Sequence, residues 1–180
     1  MPGNFHRLSP LLCSPDSVGF RVQVFGPLGA AHVRPDEDGD LAVVVGGSGA
    51  AVALSVLDWA VASGHLEWHR LDFVCGLRTS RCPEVIDRLA EAARRFADRL
   101  RIVVALSDED SRSVALSGAG ANLQFESGMA HEVAARCLEG VWKDHAVFVA
   151  GPPPMVQSTL RMLIAKARLN PAGIRYDSFS

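Results

Sequence analysis

The sequence predicts an α/β protein in which helices cover both faces of a parallel sheet. Three observations predict it. Short apolar runs recur along the chain, at Leu41–Val45, Leu71–Gly76, Arg101–Leu106 and His145–Gly151, without the alternation of a half-exposed strand. Longer stretches with helical periodicity separate them, so strands and helices alternate. Glycine and proline mark the strand-to-helix junctions at Gly46–Gly49 and Gly151–Pro154.

Each element follows in order. Residues 1–18 are rich in proline and serine and lack periodicity, which predicts a loose arm. Phe20–Phe25 alternates apolar and polar residues, so it predicts a strand exposed on one face. Gly26–Gly29 predicts a turn, after which residues 30–35 could continue as a second strand. The acidic stretch Asp36–Asp40 predicts a solvated loop, dividing a short part (residues 19–38) from a main domain (residues 39–180). In that domain Leu41–Val45 is a buried strand, residues 50–63 a helix and Leu71–Gly76 a second strand. Pro83 opens a helix that runs to about Leu100, since proline suits a first helical turn. Arg101–Leu106 is a third strand. The polar, glycine-rich stretch 107–123 predicts a loop, and Met129–Gly140 a short helix. His145–Gly151 is a fourth strand, followed by a helix entered through prolines. Gly173–Phe179 closes as a fifth. Strand–helix–strand units of this kind cross over right-handedly.

Composition narrows the function. The 180 residues suit one domain, or one domain plus a fragment of another. The net charge of −2 provides no electrostatic footprint for nucleic acid or an anionic membrane. The basic side chains are arginines except Lys143 and Lys166. Cys13, Cys75, Cys82 and Cys137 contain no CxxC spacing, which predicts free thiols in a reducing, cytoplasmic setting. His65 and His69 share helical i,i+4 spacing but have no third ligand nearby, so no metal site is expected. The proline-broken start is neither a signal peptide nor a membrane span. Without a GxSxG elbow a hydrolase triad is not expected, and Trp59, Trp68 and Trp142 are too isolated to stack bases.

The junction Gly46, Gly47, Ser48, Gly49 admits two readings. In an open parallel sheet, ligands bind outside the carboxyl ends of the strands. Glycines there let the backbone approach an anion, and the N–H groups of the next helix point at it. The Ser48 hydroxyl adds a donor. The same residues also suit a tight turn that packs strand against helix with nothing bound. The motif is not GxGxxG and lacks the P-loop lysine.

Other blocks extend the pattern. "VGGSGAAVALSVLDWA" resembles the "AGGTGxAPxxS" turn of the ferredoxin–NADP reductase superfamily. "FVCGLRTSRCPEVIDRLAE" is similar to that family's second strand and helix, and "RIVVALSDED" to its third strand and following loop. "ESGMAHEV" resembles the segment opening the next helix. "VFVAGPPPMVQSTLRML" resembles the "VYxCGPPPMVxAxxxxL" signature, and "IRYDSF" the closing strand. Order and spacing agree from about Leu41 to Phe179, nearest in look to NADH-dependent reductase components of bacterial multicomponent oxygenases. The resemblance implies a Rossmann-like five-stranded parallel sheet in the order 3-2-1-4-5. "FRVQVFGPLGAAHVRP" resembles the last strands of the preceding flavin-binding barrel, which implies a β remnant over residues 19–38. The flavin-holding "RxYS" or "RxYT" segment and a ferredoxin-type four-cysteine cluster do not occur, so FAD is expected only from another domain or chain.

The resemblance also implies roles. Gly46, Gly47, Ser48 and Gly49 would hold the pyrophosphate or nicotinamide ribose, and Arg78, Thr79 and Ser80 the adenosine half. Ser107 and Asp108 stand where NADP-dependent relatives carry serine and a basic residue. A carboxylate there would repel a 2′-phosphate and accept from a free 2′-OH, favouring NADH over NADPH. Arg78 and Arg81 weigh the other way, and "SDED" also reads as an ordinary solvated loop. Gly151, Pro152, Pro153 and Met155 would line the nicotinamide pocket. Phe179 matches a C-terminal aromatic that lies near the flavin, or is a core residue. Ala150 replaces the family's cysteine beside the nicotinamide, and Val52 its turn proline. Hydride transfer would thus centre on Ala150, Gly151 and Phe179, with a ferredoxin or oxygenase as partner. The alternative is a flavin-free module that binds NADH or docks without turnover.

Overall fold

The computed structural model describes residues 10–11, 14–26, 29–114 and 122–179. Outside them lie Cys13, Pro27 and Leu28 of the predicted turn, most of the predicted arm, and residues 115–121 of the predicted loop.

Among the described residues, six parallel strands form one sheet: β1 (Asp40–Gly46), β2 (Leu71–Leu77), β3 (Leu100–Leu106), β4 (Leu123–Ser127), β5 (His145–Gly151) and β6 (Ile174–Ser178). Their order is β4-β3-β2-β1-β5-β6. The central strands are apolar throughout because both faces are covered. Odd residues of β1 (Leu41, Val43, Val45) enter a core shared with α1 (Ala50–Ala62) and α2 (Pro83–Arg95). Even residues (Ala42, Val44) enter the opposite core, under α3 (Ala130–Cys137) and α4 (Pro153–Ala165). The register places Val43 between Phe73 and Phe148, so the largest side chains sit mid-sheet.

Helix boundaries have local causes. α1 buries Ala53, Val56, Leu57 and Ala60, one face at helical spacing, and stops where Gly64 turns left-handed at φ 74°. Pro83 and Pro153 occupy the first turns of α2 and α4.

Three expectations are corrected. The sheet has six strands, not five: β4 adds beyond β3, while the other five keep the expected order. The helix from Pro83 ends at Arg95, because Phe96 leaves helical dihedrals and Leu100 is needed as the first residue of β3. No strand forms over Phe20–Phe25 or residues 30–35. A strand needs a ladder partner, and among the described residues none lies alongside. Phe20, Val22, Val24 and Phe25 are all exposed in the first of these stretches.

Residues 29–38 are instead clasped by β6. The Ala30 and Ala31 N–H groups donate to the Asp177 carboxylate at 2.7 and 3.1 Å. Arg175 forms a largely buried ion pair with Glu37, donates to the His32 carbonyl at 3.4 Å and stacks over Phe148. No helix among the described residues is long and apolar enough to cross a membrane.

Candidate functional site

The strand order reverses between β1 and β5, and the carboxyl ends of those two strands carry the two glycine junctions. After β1 the chain makes a single 3-10 turn, Gly47–Gly49, before α1 begins. Gly47 sits at φ 54°, in the left-handed region that favours glycine. Gly47 and Ser48 face solvent, whereas Gly49 is buried. A Cβ on Gly49 would lie 2.1 Å from the Ala150 carbonyl oxygen, so this glycine lets the turn press against β5. Gly49 therefore serves packing, and Gly47 and Ser48 supply the rim. α1 has no side-chain cap, and its first N–H, that of Ala50, donates back to the Gly47 and Ser48 carbonyls.

The second junction faces the first. A Cβ on Gly47 would meet Pro152 at 3.4 Å, and one on Gly46 would meet Met155 at 3.5 Å. Gly151 (φ 149°) has no room for a side chain either, with the Gly46 carbonyl 2.6 Å from the Cβ position. Pro152 is exposed and Pro153 half-buried. Met155 is held from behind, its carbonyl and sulfur receiving the buried Thr159 hydroxyl at 2.9 and 3.3 Å. Ala150 is fully buried in the α1-side core, so its methyl does not reach the crevice. Phe179 is 41% exposed, and its N–H donates to the Gly151 carbonyl at 3.0 Å. That bond fixes the aromatic ring's strand end beside the turn. Phe179 also lines a cavity of about 300 Å³ with His32, Val52, Ser55 and Trp59.

A second group of residues lies over the ends of β2 and β3, one and two strand spacings from β1, roughly 5 and 10 Å. Arg78 pairs with Asp108 through Nε and Nη2, both 2.8 Å from Oδ2. Ser107 donates its hydroxyl to the same carboxylate at 2.8 Å. Ser107 foremost, then Arg78, holds the Asp108 carboxyl below the usual carboxylate range. Ser80 donates both its N–H and its hydroxyl to Glu109, at 2.6 and 3.0 Å. Asp110 pairs with Arg112. Thr79 stands apart, its hydroxyl receiving the Arg81 N–H at 3.4 Å. A cleft of about 530 Å³ opens along Ser107–Arg112 and Glu126–Gly128.

The site thus gathers Gly46, Gly47, Ser48, Gly151, Pro152, Pro153, Met155 and Phe179 at one crevice, and Arg78, Ser80, Ser107 and Asp108 at its flank. Sequence reasoning missed Glu109 as the acceptor that latches Ser80, and Thr159 as the support for Met155. It also missed that Gly76 lets β2 approach α3: a Cβ there would lie 2.8 Å from that of Ala130. A glycine ending an apolar strand was the available signal. Cys75 takes no part, since burial pushes its thiol up to about 12.

No family model matches the chain. Curated relatives do. The ferredoxin–NAD(P)+ reductase component of a naphthalene 1,2-dioxygenase/salicylate 5-hydroxylase system from a Ralstonia species is 31% identical over 91% of the chain, which covers 45% of that protein. A ferredoxin–NAD(P)+ reductase from Metapseudomonas resinovorans is 29% identical over 96%, with 47% of it covered. The ferredoxin–NAD+ reductase component of an alkene monooxygenase system from Xanthobacter autotrophicus is 29% identical over 93%, with 46% covered. The chain spans a little under half the length of these relatives. Among solved structures, the ferredoxin reductase in carbazole 1,9a-dioxygenase superposes with a TM-score of 0.59 at 26% identity, over 86% of this chain and 42% of that one. The flavohaem-like FAD/NAD-binding domain of a Vibrio cholerae nitric oxide dioxygenase shares the fold, with a TM-score of 0.60 at 14% identity, over 85% of this chain and 55% of that one.

Proposed function

Since the chain is related to ferredoxin–NAD(P)+ reductase components of oxygenase systems, we propose that it is the NAD(P)H-binding electron-transfer module of a flavin-dependent oxidoreductase. Hydride would pass from NADH to an FAD held by another domain or chain, and electrons onward to a ferredoxin or oxygenase. The observation that carries this reading is the convergence of the Gly46–Gly49 and Gly151–Pro153 junctions at the point where strand order reverses, with Phe179 tied to Gly151 beside them.

The residues fit a nicotinamide dinucleotide. Exposed Gly47 and Ser48 would offer their backbone, and Ser48 its hydroxyl, to a diphosphate near the positive end of the α1 dipole. Pro152, Pro153 and Met155 would offer an apolar wall to a flat ring, with the Phe179 backbone tied to Gly151 beside it. The chemistry supplied there would be hydride donation from the reduced ring, and these residues orient it and exclude water. At the adenosine end, Asp108 already neutralises Arg78. A 2′-phosphate would have to displace one carboxylate and face Glu109 and Asp110, whereas a 2′-OH can donate to Asp108. This favours NADH. A non-catalytic NADH-binding or docking module is the second reading, favoured by Ala150, whose buried methyl leaves no thiol at the crevice.

Titration calorimetry with NADH and NADPH tests the site. Heat with NADH and weaker heat with NADPH is expected, and silence with both overturns the proposal. NADH oxidation with added FAD and an artificial acceptor then separates the readings. Turnover supports the electron-transfer module, and tight NADH binding without turnover supports the docking module.

A further inference from the structure

Both lysines of a chain whose 18 basic residues are otherwise all arginine line one cavity. It lies between the C-terminal halves of α3 and α4, far from the crevice, with a volume of about 460 Å³. That is within the range of small-molecule pockets. Its floor is apolar: Trp142 is 4% exposed and Met162 7%. Ala135 and Ala167 form the walls. Lys143 and Lys166 stand exposed at the mouth, and among the described residues neither ammonium is paired with a carboxylate. Arg136 also lines the cavity, but its guanidinium is engaged elsewhere, donating to the Ser127 carbonyl at 3.2 Å and facing Glu126 at 3.7 Å. Glu139 is the carboxylate at the rim.

These features select a ligand class. The apolar floor suits a ring or a short alkyl body. Two ammonium groups offset by one carboxylate leave about one positive charge at the mouth, which matches a monoanion better than a phosphate. Lysine stems reach along apolar walls while their heads stay in water, so the charge can follow a ligand of variable length. Complementing the C-terminus of α4 accounts for Lys166 at the end of that helix. It does not account for Lys143, which sits on the separate single-turn helix Trp142–Asp144.

We propose that this cavity binds a small amphipathic carboxylate, with its apolar body against Trp142 and Met162 and its carboxylate between Lys143 and Lys166. Met162, the nearest cavity residue on α4, lies nine residues along that helix from Pro153, about 14 Å at helical rise. It therefore binds independently of any dinucleotide.

The test is titration of the isotopically labelled 180-residue chain with benzoate and octanoate, followed by calorimetry and by amide and indole N–H resonances. Benzyl alcohol and inorganic phosphate serve as comparison ligands. Saturable binding is expected, with shifts centred on the Trp142 indole and the ends of α3 and α4. Benzyl alcohol and phosphate should each bind about tenfold or more weakly. The double variant Lys143→Gln/Lys166→Gln, altered only at exposed positions, should melt like the parent and lose about tenfold in carboxylate affinity. Ala167→Trp should fill the cavity and abolish binding with both lysines in place. Absence of saturation, shifts at the Gly47–Gly49 turn instead, phosphate binding as tight as benzoate, or undiminished binding by both variants would each overturn the proposal.

Discussion

At the scale of single residues, two positions show how packing and charge divide the labour of the crevice. Gly49 faces away from any ligand, and what it permits is contact: the turn rests on the backbone of Ala150 with no room for a methyl. Gly49→Ala must push β1 and β5 apart or distort the turn, and should lower stability by about 3 kcal/mol in chemical denaturation. Gly47→Ala, at an exposed rim position, should cost less than Gly49→Ala. Asp108 works by charge. Its carboxylate is held ionised by Ser107 and Arg78, and it in turn occupies the Arg78 guanidinium. Asp108→Ala releases that guanidinium for a 2′-phosphate. The ratio of NADPH to NADH affinity should rise by about tenfold in paired titrations, and an unchanged ratio would place the adenosine end elsewhere.

At the scale of elements, what was legible in the sequence followed from periodicity, and what was not followed from context. The central strands announced themselves because a strand covered on both faces must be apolar at every position, as Leu41–Val45 is. β4 did not. Leu123–Ser127 is an edge strand of five residues with only Leu123 fully buried, so its pattern is too short and too mixed to separate from a loop. Helical spacing continued past Arg95 into "FADRL", and only the demand of the sheet for Leu100 ended α2 there. Of the crevice, the glycine and proline junctions were visible as motifs, whereas the Phe179 to Gly151 bond joins strand ends that no local pattern connects. The clasp on residues 29–38 was invisible for the same reason, since Asp177 and Arg175 reach back across more than a hundred positions. Removing that clasp is a test at this scale. Asp177→Ala leaves the Ala30 and Ala31 N–H groups without their acceptor, and should cost about 2 kcal/mol. Limited proteolysis should then cut first within residues 29–38. If cleavage there stays as slow as in the parent, Arg175 and Glu37 hold the segment unaided.

At the scale of the whole molecule, the two edges of the sheet have opposite chemistry. The carboxyl edge is open, glycine-lined and suited to a ligand. The amino edge is closed by imidazoles and carboxylates drawn from separate elements: His145 Nε2 lies 3.3 Å from the buried Asp72, and His69 Nε2 lies 2.9 Å from Asp38. His65 completes this edge as a core group, packed between the rings of Trp59 and His69 at 4.9 and 4.6 Å. Its Nε2 is buried without a partner among the described residues. Desolvation foremost, and then repulsion from His69, lowers its pKa, while the Gly39 backbone and the Asp40 and Glu37 carboxylates oppose the shift only in part. The folded state therefore prefers neutral His65, and the unfolded chain binds a proton more readily. The stabilisation is fully present above the unfolded value near 6.5 and is lost as pH falls from there through the lower folded value. Thermal melts from neutral to mildly acidic pH should show the melting temperature falling over that window. His65→Gln should flatten the slope there while leaving the carboxyl edge, and any dinucleotide titration at neutral pH, unchanged. An equally steep decline in the variant would remove His65 as the cause of that slope.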